Sequence, residues 1–261
     1  MTPNGPEPVV YQRRRRALLE RLHGAVLFLP GSAEAVYAND VHYRYRPETN
    51  IRYLTGFDEP VHLLLSGCEQ ERGLTLCVRP RDPAAETWTG KRAGVDGARA
   101  DYGADFAYVI DEWPAVLERH LKDAERFYWT QSRDNAVNER VLAAIRAANA
   151  LRPRSGRNTL VIEDATLLLG EMRVVKQADE LETLRKACRV SAEAHRAIMQ
   201  TVVPGDAEYQ VEALVEYLFR DGGCSGPAYG SIAAGGANAP VLHYTQNDRP
   251  LADGALLLLD A

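Results

Sequence analysis

Cysteine is scarce in this sequence and never paired: Cys68, Cys77, Cys188 and Cys224 are the four present. No two stand at C-x-x-C spacing, which removes a zinc ribbon and a thiol redox motif. Scattered thiols of this kind are expected as small buried hydrophobes in a reducing, cytoplasmic setting. Long apolar runs are missing too, since nothing approaches the roughly 18 consecutive apolar residues of a membrane span. One N-terminal stretch mimics a leader, Arg13 to Arg16 followed by "ALLERLHGAVLFLPG", but Glu20, Arg21 and His23 interrupt it. A surface helix followed by a strand is the expectation there. A basic surplus is also absent. The net charge of −5 argues against a general nucleic-acid binder, whose phosphate contacts need a basic surface. There is no G-x-x-x-x-G-K-[ST], G-x-S-x-G or H-E-x-x-H, and "GSIAAGGANA" lacks the spacing of a dinucleotide loop.

What is present is an ordinary globular composition, 46% hydrophobic and 26% charged. At 261 residues, and with about 150 residues per domain as a prior, one large or two modest domains are permitted. The first 130 residues alternate. A helix near Val9 to Leu22 leads to the apolar run "AVLFL" at 25–29, which stops at Pro30-Gly31. "HLLLSG" (62–67) and "LTLCV" (74–78) are of strand length and are joined by the charged turn "CEQERG". "FAYVI" (106–110), a helix from Glu112 to Leu121, "RFYWT" (126–130) and a helix from Ala136 to Leu151 continue the alternation, which predicts an α/β domain with a mixed or parallel sheet. "RPRSGRN" (152–158) has the Pro, Gly and charge content of a boundary loop.

Beyond it the pattern changes. Leu181, Leu184, Cys188, Ser191, His195, Ile198 and Val202 recur every three or four residues, predicting an amphipathic helix over 178–202. His195 on that stripe is expected to be a satisfied, half-buried side chain. Pro204-Gly205 ends the helix, Asp206 is the expected N-cap of a second one running to Arg220, and the remainder suggests strands linked by turns. The chain closes with "GALLLLDA", an apolar strand delivering one carboxylate, Asp260. Such a residue is either a turn acid or a metal ligand presented by a rigid element.

In combination these stretches resemble a known family. "EMRVVKQADELETLRKA", "GSIAAGGANAP", "LHYTQND" and "LADGALLLLDA" in the second half, with "RYRPETNIRYLTGFDEP" (44–60) and "AETWTGKRAG" (85–94) in the first, are similar to the aminopeptidase P branch of the prolidase and creatinase metallopeptidases. The resemblance implies a creatinase/prolidase-like N-terminal α/β domain, residues 1–173, followed by the first part of a "pita-bread" α+β metallopeptidase domain, residues 174–261. It implies removal of the first residue from peptides whose second residue is proline, by two divalent metals, commonly manganese. Asp260 matches the first metal ligand. His243 matches a catalytic, substrate-binding histidine near the scissile peptide, and Trp88 matches a substrate-binding aromatic that reaches the site from the N-terminal domain, often of a neighbouring subunit. An arginine of the 152–157 loop matches a similar arm, and Arg152, Arg154 and Arg157 are not distinguished by motif.

The family completes its site with a second Asp shortly after the first, then a His and two Glu further on, and none of these lies in the chain. The expectation is therefore that the chain ends inside the catalytic domain, as a truncated, nicked or separately encoded part. By itself it is expected to be inactive and to hold no metal stably. Proline-containing peptides and a homo-oligomeric partner, dimer or tetramer, or a missing C-terminal half, are the implied partners, with no nucleic acid or membrane. The alternative is a non-catalytic peptide-binding or oligomerisation module of the same fold; a creatinase or prolidase fits the N-terminal motifs less well. Unpaired apolar strands invite association, so residues 226–261 are expected to be disordered, covered by another chain or paired in an oligomer.

Overall fold

The computed structural model describes residues 6–261 and divides the chain into a unit ending at Val175 and a unit from Lys176 to Ala261. In the first unit, helix α1 (Pro8–Leu19) leads into strand β1 (Ala25–Leu29), a small ribbon of β2 (Val36–Ala38) and β3 (Val41–His42), and helix α2 (Thr49–Thr55). The hairpin β4 (Val61–Ser66) and β5 (Gly73–Val78) follows, then α3 (Pro83–Thr89), α4 (Gly94–Ala100), β6 (Phe106–Val109) and α5 (Trp113–Asp123). Strand β7 (Arg126–Trp129), α6 (Asn135–Leu151), β8 (Val161–Glu163) and α7 (Ala165–Val174) complete the unit. Its strands other than the ribbon form a six-stranded mixed sheet, β6-β5-β4-β1-β7-β8, in which β1 runs antiparallel to β4 and parallel to β7. The mixed α/β sheet expected from the alternation is thus observed.

The sequence of β1 follows from its place. "AVLFL" is apolar throughout because helices cover both faces of a central strand. Leu27 and Leu29 pack with Leu18, Ile51, Leu54 and Leu169 of α1, α2 and α7, while Val26 and Phe28 meet Val116, Leu117 and Leu121 of α5 and Val141 and Ile145 of α6. Leu27, Leu63, Leu64 and Leu65 are fully buried. Each contributes roughly 1.5–3 kcal/mol by leaving water, which makes the β1–β4 pair the energetic centre of the unit. Where β4 ends, a Cβ on Gly67 would lie 1.5 Å from the carbonyl oxygen of Leu22, so the backbones approach as closely as glycine alone allows.

Two expectations are corrected here. Segment 152–158 is no border, because the sheet continues beyond it into β8, which pairs with β7. Arg152 folds the segment inward: it is only 4% exposed, and its guanidinium donates to the carbonyls of Asn158 and Ala124, the latter at 2.8 Å. The cysteines are all free, but only Cys68 and Cys77 are buried, Cys188 being exposed and Cys224 half-buried. Burial pushes the Cys77 thiol up to about 12.

The second unit consists of helices α8 (Ala178–Thr201) and α9 (Glu208–Asp221) and the antiparallel pair β9 (Ile232–Gly235) and β10 (Leu257–Asp260). Only the C-terminal half of α8 is covered. Leu181, Leu184 and Cys188 are exposed; Ile198 and Val202 of the predicted stripe meet the core, while Val190 and Ala194 face it in place of Ser191 and His195. His195 is half-buried and its Nδ1 meets the Ser191 carbonyl at 2.8 Å, the satisfied role expected of it. Asp206 does not cap α9. Its carboxylate accepts from the Val203 N–H at 2.9 Å and closes the Pro204-Gly205 turn, leaving Ala207 at the N-cap.

Residues 226–261 fold onto α8 and α9 through Ala233, Leu251, Leu257 and Leu259. The leucine run alternates rather than being buried whole: Leu257 and Leu259 turn to the core, while Leu256 and Leu258 are 82% and 39% exposed. This is the two-residue period of a half-covered strand, and it places Asp260 on the face opposite Leu257 and Leu259. No helix among the described residues is long and apolar enough to cross a membrane.

Candidate active site

Asp260 closes β10 in register with Ile232 of β9. The hydroxyl of Tyr229, three residues before β9, donates to Oδ1 of Asp260 and so fixes the direction of one carboxylate oxygen. That bond holds the proton on the phenol and pushes the Tyr229 hydroxyl above its usual value. Sequence reasoning missed Tyr229, whose single signal is an aromatic inside the glycine-rich stretch "SGPAYGS".

His243 lies in the long connection between β9 and β10, exposed and with no hydrogen-bond partner among the described residues. Its imidazole is open to a ligand, but the backbone carrying it is tied on both sides. Tyr244 Oη and the Arg249 N–H donate to Glu208 Oε2 at 2.7 and 3.0 Å, and the Gly235 N–H and Asn238 Nδ2 donate to Glu208 Oε1 at 2.7 and 3.1 Å. Glu208 is fully buried, at the first position of α9. Burial pushes its carboxyl up, yet the four hydrogen bonds together outweigh burial and hold it below the usual carboxylate range. Asn247, also buried, donates from Nδ2 to the Ser231 carbonyl at 2.9 Å and accepts at Oδ1 from the Ala233 N–H at 3.0 Å. Loop 243–249 is therefore fastened to β9, the same strand that registers Asp260, although no hydrogen bond joins His243 to Asp260 directly.

The first unit carries the other predicted residues. Trp88 sits in the last turn of α3, a helix that buries nothing. Capping sustains this helix instead: the Asp82 carboxylate accepts from the N–H groups of Ala84 and Ala85, Pro83 supplies a preset φ, and Gly90 ends it at φ +85°. Trp88 is 89% exposed, a solvent cost that the fold of this unit does not offset. Among the loop arginines, Arg152 is buried on carbonyls and Arg157 is paired with Asp123 at 3.2 Å. Arg154 is exposed and has no partner among the described residues, so the geometry separates three residues that the motif leaves equivalent.

A divalent ion makes a strict demand on the donor set. Such ions take several oxygen or nitrogen ligands, and a pair of them takes more. Among the described residues no three His, Cys, Asp or Glu side chains converge. Asp260 with its Tyr229 brace is a single oriented oxygen donor, and the residues described do not by themselves fit a metal pair.

Comparison with known proteins finds two family matches along the chain. Residues 11–128 match the family "Aminopeptidase P, N-terminal domain", and residues 182–261 match "Metallopeptidase family M24". The Xaa-Pro aminopeptidase of Haemophilus influenzae is 36% identical over 261 residues, covering 98% of this chain and 57% of that protein. The structure of Pseudomonas aeruginosa aminopeptidase PepP superimposes with a TM-score of 0.89 at 37% identity, covering 98% of this chain and 58% of its own. Zinc-substituted E. coli aminopeptidase P in complex with product gives 0.88 at 30% identity, with 98% and 59% covered. The chain thus spans somewhat under three-fifths of the length of the relatives it matches. With an aminopeptidase P N-terminal domain followed by metallopeptidase sequence, and with relatives of that kind along almost its whole length, this chain belongs to the aminopeptidase P family of M24 metallopeptidases.

Proposed function

We propose that these residues serve an Xaa-Pro aminopeptidase, a hydrolase that releases the N-terminal residue of peptides with proline second. The observation that carries this reading is Asp260, a carboxylate directed by strand register and by Tyr229, within the segment that matches a metallopeptidase family. In the proposed enzyme Asp260 is one ligand of two divalent ions, manganese in this reading. The remaining ligands lie outside the described residues, so the share of the chemistry assigned to this chain is recognition and orientation.

That share suits the substrate. An Xaa-Pro bond is a tertiary amide without an N–H, with φ fixed by the ring, and peptidases that hold substrates as an added strand bind it poorly. An apolar surface for the ring and a directed donor near the scissile carbonyl meet the need instead. The exposed Trp88 is proposed as the first, acting on peptide held by a neighbouring copy in a cytoplasmic homo-oligomer, and the unpartnered His243 as the second. Arg154 is the proposed arm of the 152–157 loop.

The test compares manganese-dependent cleavage of Xaa-Pro peptides by the full-length enzyme, by its Asp260→Ala variant and by the 261-residue polypeptide. Activity is expected from the first alone, and the 261-residue polypeptide is expected to retain no stoichiometric manganese. Turnover by that polypeptide would overturn the assignment of the missing ligands. Peptide binding without cleavage by the full-length protein would instead favour a non-catalytic binding module.

A further inference from the structure

Glu208 is far from Asp260 and His243 in sequence, yet its carboxylate bonds both the end of β9 and the loop that carries His243. Oε1 holds the end of β9 at Gly235 and the turn after it at Asn238; Oε2 holds Tyr244, next to His243, and the far side of the same loop at Arg249. β9 in turn registers β10, with Ile232 opposite Asp260. An ionised carboxylate accepts all four donors at once, whereas a glutamine at this position would turn an NH2 group toward two of them.

From this arrangement we infer that Glu208 is a positioning residue for His243, fixing the imidazole relative to the Asp260 strand, an assignment that rests on the aminopeptidase reading above. A buried acid that only stabilised α9 would bond within α9; this one spends all four of its bonds on the β9 end and the histidine loop.

Glu208→Gln is the test, with Phe219→Leu as a control that loosens the same core without touching the loop. In the 261-residue protein, amide exchange at Gly235 and Arg249 is expected to accelerate about tenfold or more in Glu208→Gln, with a loss of order in the His243 ring by NMR relaxation, and neither change is expected in Phe219→Leu. In the full-length enzyme, Glu208→Gln is expected to lower kcat about tenfold with little change in KM, and to have no further effect in a His243→Ala background, because the two act as one unit. Unchanged exchange and unchanged His243 order, or an equal kinetic loss in both backgrounds, overturns the inference. If His243→Ala leaves cleavage intact, the aminopeptidase role of His243 fails instead, and the exchange and relaxation measurements still decide whether Glu208 positions it.

Discussion

Replacing Asn247 by alanine tests how the loop after His243 is held. Asn247 is buried at φ +47°, and its amide bonds the Ser231 carbonyl and the Ala233 N–H, both on residues with no exposure. Alanine leaves these two backbone groups unpaired, and each orphaned buried group costs about 1–3 kcal/mol, so roughly 2–6 kcal/mol is expected. Left-handed backbone adds about 1 kcal/mol for a residue with a Cβ and no local hydrogen bond. Asn247→Gly loses the same two bonds without that addition and is expected to be about 1 kcal/mol milder. Against a typical domain stability of about 5–15 kcal/mol, either change removes a large share. The assay is favourable because all three tryptophans, Trp88, Trp113 and Trp129, lie in the first unit. Urea unfolding followed by far-UV circular dichroism should show a new early transition in the variants, while tryptophan fluorescence keeps its midpoint. An alanine variant within about 0.5 kcal/mol of the parent, the ordinary scatter of surface changes, would refute the accounting, as would a glycine variant weaker than the alanine one.

Other expectations follow from single side chains. His62 accepts from the Gly31 N–H at Nδ1, at 3.2 Å, and burial beside Phe28 and Trp113 pushes its imidazole from 6.5 down to about 4, with Asp134 opposing. The unfolded chain therefore takes up this proton first, so the stabilisation is complete above pH 6.5 and is lost as pH falls toward 4. The loss is about 3 kcal/mol in all, and a His62→Gln variant should show a correspondingly flatter dependence of its denaturation midpoint on pH between 7 and 4.5. Arg152→Ala should destabilise the first unit by about 2–4 kcal/mol in urea unfolding, since it empties a buried site and orphans two carbonyls, while Arg154→Ala should change stability by less than about 0.5 kcal/mol. Trp88→Ala should also leave the melting temperature unchanged while, if the proposed aminopeptidase role holds, raising KM for Xaa-Pro peptides; a lowered melting temperature with unchanged KM would count against the substrate role.

The first unit was largely legible in the sequence because its signals are local. "AVLFL" ends at Pro-Gly, "CEQERG" separates two strand-length runs, and both features are present as read. Of the α8 stripe, Ile198 and Val202 meet the core, whereas Val190 and Ala194 take the places expected of Ser191 and His195, since periodicity does not say which of two adjacent lines finds a partner. Asp206 was misread because an Asp after Pro-Gly can serve the turn behind it as well as the helix ahead. The site was legible only at its termini. Asp260 and His243 stand in recognisable stretches, whereas Glu208, Asn247 and Tyr229 act on residues 14 to 41 positions away, and no short window contains both ends of those bonds.

The alternation in "LLLLD" also says how this stretch tolerates change over evolutionary time. Swapping one of its aliphatic side chains for another leaves the odd-numbered positions inward and the even-numbered ones outward. An insertion or deletion of one residue between Gly254 and Leu257 would exchange the two faces, turning the acid into the helix core and a leucine to where the acid had been. The strand is thus forgiving in composition and strict in length, so variation among relatives here should run to substitution and very rarely to gaps.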